Sequence, residues 1–373
     1  MKKEKKKVVV GISGGVDSSV AALLLKRQGY EVIGVFLKNY SETKNKLGGE
    51  CNWIEERRIA QKIAAMLKIP LVTVDYEKEY RKLVIDKMFN DYKKGLTPNP
   101  DVLCNKVNKF PGLLRVAKGF GADWIATGHY ARIKNGKKGF ELLAGKDRTK
   151  DQSYFLHQLG QGTLSKVIFP LGEYKKERIR KIAKNKGFPN WNKKGTSGIC
   201  FVGKVDMKKF LKKKIKEKQG KVFSPEGEVI GKHSGTMFFT IGERAGEKKG
   251  FRVDEEYRKK FSGKKLYVAE KRKGNVLVIA PEGNSALQAK EVFIKDFHLI
   301  NPREKIPGKG LKARIRHLGK LNSGKLRREK GRWSFNFDRG IFGIAEGQFI
   351  VIYKGDKVIG GGEIRRKYNR EHK

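Results

Sequence analysis

Two groups of residues have types and spacings suited to chemistry. The first is "GISGGVDSS" at 11–19. Gly11, Gly14 and Gly15 let a backbone approach a ligand and take positive φ. A helix starting near Ser18 turns its N–H groups and positive dipole end back into the loop, which makes a phosphate cradle. Ser13 and Ser18 add hydroxyl donors. The pattern is neither G-x-x-x-x-G-K-[ST] nor G-x-G-x-x-G. Without the lysine, the loop suits a phosphate that is not being passed to water or to a kinase substrate. Asp17 repels phosphate unless a divalent cation stands between them, so it is a candidate Mg²⁺ contact.

The second group is the cysteines, Cys51, Cys104 and Cys200. None forms a C-x-x-C pair, and three are too few for a disulfide framework in 373 residues. Cys104 and Cys200 lie in "TPNPDVLCNKVNKF" and "TSGICFVG", stretches read as polar loops rather than apolar stripes, and so as reactive. Cys51 reads as a small buried hydrophobe or an incidental position. Asp101 stands three residues before Cys104, where it can orient or deprotonate a substrate. Asp101, Cys104 and Cys200 could also hold three corners of a metal ion or iron–sulfur cluster, although the spacing is a weak metal signal.

These residues need elements to position them. "KVVVG" and "EVIGVFL" are continuous apolar runs, as in parallel strands buried on both faces. "LVTVDY" (71–76) and "DWIATGH" (123–129) follow, with helical patterns at Ser18–Gln28, Trp53–Leu67 and from Glu77 to about Tyr92. The alternation predicts an α/β doubly wound parallel sheet, with ligands beyond the carboxyl ends of its strands. Gly11–Ser18, Leu37 and Gly128–His129 would then share one rim. Pro98 and Pro100 flank Asn99, which predicts a rigid loop entering a helix only near Asn105. "GEYKKERIRKIAKNKGF" predicts an amphipathic basic helix. Beyond about residue 210 short β patterns dominate, with a hairpin turn at Gly355-Asp356. The expected division is 1–210 catalytic, 211–280 a small β-rich middle domain and 281–373 a C-terminal β-barrel.

S-G-G-x-D-S after a buried strand resembles the signature of the ATP-pyrophosphatase, or PP-loop, superfamily. "TPNPDVLCNKVNKF", "TSGICFVG", "ATGHYARI" (126–133), "KDQSYFL" (150–156) and "GGG" (360–362) together resemble the tRNA-specific 2-thiouridylases along nearly the whole chain. The resemblance implies ATP held by Gly11, Ile12, Ser13, Gly14, Gly15, Val16, Asp17, Ser18, Leu37 and Gly128. It implies target-base contacts at Asn99, Pro100 and Asp101, a persulfide on Cys200, and Cys104 as its catalytic partner. It implies tRNA contacts at Lys150, Asp151, Gln152, Arg316 and His317. It implies a wobble-uridine substrate in the lysine, glutamate and glutamine tRNAs, with sulfur from a cysteine desulfurase or a sulfur-relay protein. Some positions depart from the family pattern. His317 stands where a tyrosine is usual, Val107-Asn108 replace Glu-Ile, Pro111 intrudes, Gly195-Thr196-Ser197 precede Cys200, and "FFTIGERAG" replaces a more typical "HTLGQRKG".

The formal net charge of +46 fits a polyanionic partner and does not say which one. Lys175, Lys176, Arg178, Arg180 and Lys181 are candidates to track a phosphate backbone. His129 is expected to pack or hydrogen-bond, and His157 to lie on a helix surface. "MKKEKKK" runs straight into Val8–Val10 without a signal-like apolar stretch, and no run is long enough to span a membrane, so a cytoplasmic location is expected. A small-molecule PP-loop ligase or amidotransferase would not need paired loop cysteines or such charge. A non-catalytic RNA-binding protein with a relic loop would not keep S-G-G-V-D-S intact.

Overall fold

The computed structural model describes residues 5–41, 53–195, 206–247 and 250–365. Strand β1 (Lys7–Gly11) lies between β2 (Glu31–Lys38) and β4 (Trp124–Ala126) in a parallel sheet of order β3-β2-β1-β4-β7, with β3 at Leu71–Asp75 and β7 at Val167–Ile168. Val8, Val9 and Val10 are all fully buried because both faces of β1 are covered. Val8 and Val10 pack with α1 (Val16–Arg27), α2 (Trp53–Leu67) and α3 (Lys176–Asn185) through Val20, Ile63 and Ile179. Val9 points the other way, into Phe110 and Leu113. Each buried valine contributes about 1.5–3 kcal/mol, so this alternation holds helices to both faces.

The segment with Asp101 and Cys104 differs from the expectation. Its helix begins at Pro100, runs Pro100–Cys104, passes through a π-helical stretch Asn105–Lys109 and continues as Phe110–Gly119. Pro100 does not block this helix because it occupies the first turn, where its missing N–H costs nothing, and Asn99 caps Val102 N at 3.2 Å. Pro111 likewise falls at the head of the following stretch.

The middle sheet has the order β10-β9-β8-β12-β11, from Phe251–Val253, Val229–His233, Gly220–Phe223, Val276–Pro281 and Leu266–Arg272. The last six strands are β13 (Gln288–Leu299), β14 (Leu311–Arg314), β15 (Asn322–Glu329), β16 (Arg332–Phe342), β17 (Phe349–Lys354) and β18 (Lys357–Arg365). They run β13-β16-β15-β14-β17-β18 and close through β13–β18, an antiparallel barrel without an open seam, and the hairpin of β5 (Ala131–Gly136) and β6 (Gly139–Ala144) joins it at β18. Gly355 and Asp356 form the β17–β18 turn. Asp356 also reaches the α/β domain, accepting from Arg132 Nη2 at 2.5 Å while its carbonyl takes Ala144 N at 2.8 Å.

The cores run on between these regions. Val351, Tyr353 and Val358 of the barrel share a cluster with Tyr154, Leu156 and Phe110. Middle-domain Val222 and Ile279 share one with Tyr80, Met88, Phe89 and Cys104.

Candidate active site

The carboxyl ends of β1, β2 and β4 meet at one rim, where Gly11 is level with Val35 and Val10 with both Gly34 and Ala126. Gly14 has φ +76°, and an added Cβ there would lie 2.5 Å from Glu56 O. Ser13 N donates to Ser18 Oγ at 3.1 Å, and Ser18 Oγ donates to Gly15 O at 3.1 Å, so the turn is braced from within. Asn190 Nδ2 braces it from outside, donating to Gly14 O at 2.9 Å and Ser19 Oγ at 3.1 Å. Ile12 and Val16 anchor the loop in the core, as Leu37 anchors the end of β2. Gly128 lies directly over the start of α1: a Cβ would be 2.7 Å from Ser18 N. Only glycine permits that approach.

Asp17 opens onto this loop with its side chain 34% exposed. Lys176 Nζ is 2.6 Å from its Oδ1, and Tyr130 Oη donates to the same oxygen at 2.8 Å. Burial, then the Asp17 charge, push the Tyr130 phenol far above its usual range, so it remains a donor. Lys176, one of the candidates to track a phosphate backbone, faces the phosphate loop. A positive-φ glycine, a helix N-terminus and a close-packed Gly128 stand together at this rim, an arrangement suited to phosphate. A lone carboxylate fits Mg²⁺ only where phosphate oxygens complete the coordination. Among the described residues no three His, Cys, Asp or Glu side chains converge as metal ligands.

His129, next to Gly128, is buried, with Nδ1 2.7 Å from Thr127 Oγ1 and Nε2 3.5 Å from Lys109 Nζ. Burial, then Lys109, hold its pKa well below the ordinary value, so it is neutral. It packs and hydrogen-bonds as expected, and through Lys109 it ties the Asp101–Cys104 helix to the rim. His157 corrects its expectation: it is wholly buried, Nδ1 donates to Tyr154 O at 2.7 Å, and burial lowers its pKa to about 3.

Asp101 and Cys104 are one helical turn apart, on one side of their helix. Asp101 is half-buried and Cys104 fully buried, so the expected polar loop around the thiol is in fact a helix end against an apolar cluster. Cys200 and Cys51 lie outside the described residues. The 95–99 stretch is held from two other domains. Gln348 Nε2 donates to Thr97 O at 2.9 Å and Pro98 O at 3.2 Å, and its Oε1 accepts from Asn99 Nδ2 at 3.3 Å. Middle-domain Lys271 Nζ donates to Gly95 O at 2.8 Å.

Of the expected RNA residues, Lys150 and Arg316 are exposed, and His317 packs at a tilt against Phe155 with ring centroids 4.2 Å apart. Burial lowers the His317 pKa to about 4, so the ring offers a neutral face. Gln152 is tied to Tyr130, accepting from Tyr130 N at 3.0 Å. Asp151 does not suit direct contact. It is fully buried, accepts from Gly145 N and Ser153 N, and pairs with Arg314 Nη1 at 2.8 Å. Its acidity serves the catalytic-domain–barrel junction. Lys175, Arg178 and Lys181 are exposed along α3, while Arg180 donates to Lys193 O. Sequence reasoning missed Tyr130, Asn190, Lys271 and Gln348. Tyr130 alone had a signal, its place just past a strand end.

A parallel α/β sheet with a glycine loop after its first strand, followed by a β-rich middle domain and a closed barrel, defines the class: an α/β HUP-type domain with two appended β domains. Family models described as a tRNA methyl transferase HUP domain, a tRNA methyl transferase PRC-barrel domain and an aminomethyltransferase beta-barrel domain match residues 6–204, 208–281 and 289–364. The chain is 40% identical over 370 residues to the tRNA-specific 2-thiouridylase MnmA of Lactiplantibacillus plantarum, covering 98% of this chain and 96% of that one. It is 37% identical over 402 residues to that of Christiangramia forsetii, covering 96% and 100%, and 39% identical over 371 residues to that of Staphylococcus aureus, covering 98% and 96%. The chain belongs to the tRNA-specific 2-thiouridylase family.

Proposed function

We propose that the protein is an ATP-dependent tRNA-uridine 2-sulfurtransferase acting on the wobble uridine. The observation that carries this reading is the tie between two groups. The helix bearing Asp101 and Cys104 is joined through Lys109 and His129 to the rim where Gly128 abuts the phosphate loop. The uridine C2 oxygen attacks the α-phosphorus of ATP, the Pα–O–Pβ bond breaks, and pyrophosphate leaves into the glycine loop. The N3 proton passes to Asp101, with Asn99 and Pro100 holding the base. Magnesium shared by Asp17 and the phosphates would offset their charge. Gly11 to Ser18, Leu37 and Gly128 make up the nucleotide site.

Sulfur comes from a persulfide on Cys200. In one order, its terminal sulfur displaces AMP from C2. The Cys104 thiolate then attacks the Cys200 sulfur, freeing 2-thiouridine and leaving a Cys104–Cys200 disulfide. In the other, Cys104 attacks first and the released hydrosulfide displaces AMP. Either order ends with a disulfide that a thiol reductant must reopen. Lys150, Gln152, Arg316 and His317 are proposed to contact tRNA, with the lysine, glutamate and glutamine tRNAs as substrates. A cysteine desulfurase or sulfur-relay protein would supply sulfur in the cytoplasm. The division at 1–210, 211–280 and 281–373 gives catalysis to the first unit and RNA contact to the last.

The test incubates the protein with tRNA, ATP, Mg²⁺ and a persulfide donor, then analyses the nucleosides. 2-Thiouridine is expected at the wobble position. Pyrophosphate release without thiouridine would sink the sulfur-transfer half of the reading. Cys200→Ser is expected to abolish thiolation and keep tRNA-dependent pyrophosphate release.

A further inference from the structure

We propose that Lys176 is the phosphate-binding cation that the glycine loop lacks, resting on Asp17 and transferring to the β- and γ-phosphates when ATP binds. The proposal rests on the reading of this loop as an ATP site.

Lys176 is 159 residues from Asp17 in sequence, yet its ammonium is 2.6 Å from Asp17 Oδ1. Its backbone is fixed: Lys176 N donates to Asp147 Oδ2 at 2.9 Å, and Ile179 and Ala183, further along α3, pack against Val20 and Leu24 of α1. Its side chain is only 15% exposed, so its tip is confined near the loop mouth. The root therefore stays in place and the tip has a short path.

Asp17 is a weak resting partner. Its side chain is 34% exposed, so water screens its end of the pair, and its Oδ1 is shared with Tyr130 Oη. A triphosphate seated on the N-terminus of α1 carries more negative charge than one carboxylate and takes the ammonium in a charge-assisted hydrogen bond. Tyr130 Oη stays on Asp17 Oδ1 at 2.8 Å and holds the carboxylate in place while the lysine leaves. Asp17 is thereby released to a divalent cation as the nucleotide arrives. A second lysine near the loop, Lys193, pairs with Glu56 at 2.5 Å, the residue that covers Gly14.

The experiment measures equilibrium binding of Mg²⁺ with the non-reacting α,β-methylene analogue of ATP, and of AMP, to the full-length wild type, Lys176→Met, Lys176→Arg and Asp17→Asn/Lys176→Met. Thermal unfolding of each apo-protein confirms folding. Lys176→Met is expected to weaken analogue binding by about tenfold or more, the size of one charge-assisted hydrogen bond, and to leave AMP affinity unchanged. Lys176→Arg is expected to keep most of the affinity. The double variant is expected to stay weak. Wild-type analogue affinity in Lys176→Met overturns the proposal. Restoration in the double variant also overturns it, because the lysine would then only neutralise Asp17. Parallel loss of AMP binding overturns it as well, as general damage to the site. A wild type that binds the analogue but makes no 2-thiouridine would defeat the proposed function and leave this assignment standing.

Discussion

At the residue scale, Gly128 has no room for a side chain. An added Cβ would be 2.7 Å from Ser18 N and 2.8 Å from the Asp17 carbonyl carbon, both backbone atoms that cannot step aside. Gly128→Ala is therefore expected to push the strand-end segment off the helix N-terminus. ATP affinity should fall by about tenfold or more while the fold persists, the size of one charge-assisted hydrogen bond lost from the phosphates. Titration of the ATP analogue against the variant checks this, and unchanged affinity would remove Gly128 from the site. The glycine loop and its helix were legible from spacing alone, because glycines and a helix start are local signals. The partners of Asp17 and Asp151 were not. Lys176 is 159 and Arg314 163 residues away in the chain, and each carboxylate takes its meaning from a side chain that only tertiary packing brings near.

At the element scale, the 95–99 stretch is shaped by neighbours rather than by its own prolines. Lys271 holds Gly95 O, and its burial lowers its pKa to about 8, partly offset by Glu243 and Glu346. An unfolded lysine titrates near 10.5. Between these values the unfolded chain binds the extra proton, so stability rises with pH from about 8 and levels off above 10.5. Below pH 8 both states are protonated and the burial penalty is fully present. Lys271→Met is expected to remove this rise, on the order of 2–3 kcal/mol, in urea unfolding compared at pH 7 and pH 10. A variant whose pH profile matches the wild type would refute it. Gln348→Ala removes three hydrogen bonds to Thr97, Pro98 and Asn99. It is expected to slow thiolation about tenfold or more while ATP affinity holds, because the loop at risk is the one proposed to hold the base, away from the phosphates. The start of that helix was misread because proline was weighed as a breaker. In the first turn it is compatible with the helix. Helix α2, by contrast, spans Trp53–Leu67 as its apolar period predicts.

At the scale of the whole molecule, the catalytic domain and barrel are locked by the buried Asp151–Arg314 pair, with side chains 0% and 8% exposed. Removing one partner strands the other charge. Asp151→Asn is expected to destabilise the protein by about 3–5 kcal/mol, and Asp151→Asn/Arg314→Met to recover much of that loss. Denaturant unfolding of the two variants measures both terms. The +46 charge belongs to this scale too. It predicts tRNA affinity that falls linearly in log–log terms with salt, by about 10³–10⁵ between 50 and 200 mM if six to ten phosphates are neutralised. The barrel was legible as a run of short alternating strands. Its closure through β13–β18 was not, because a pairing between the first and last of six strands has no local signature.

The zero exposure of Cys104 has a kinetic consequence. A thiol packed inside the apolar cluster that runs from the α/β domain into the middle domain meets neither a nucleobase nor a dissolved oxidant until that packing opens. Such a thiol is shielded from stray peroxide while the enzyme idles. Its rate of capping by iodoacetamide then becomes a clock for that opening. Slow labelling alone and faster labelling with tRNA bound would time the breathing of the domains against turnover.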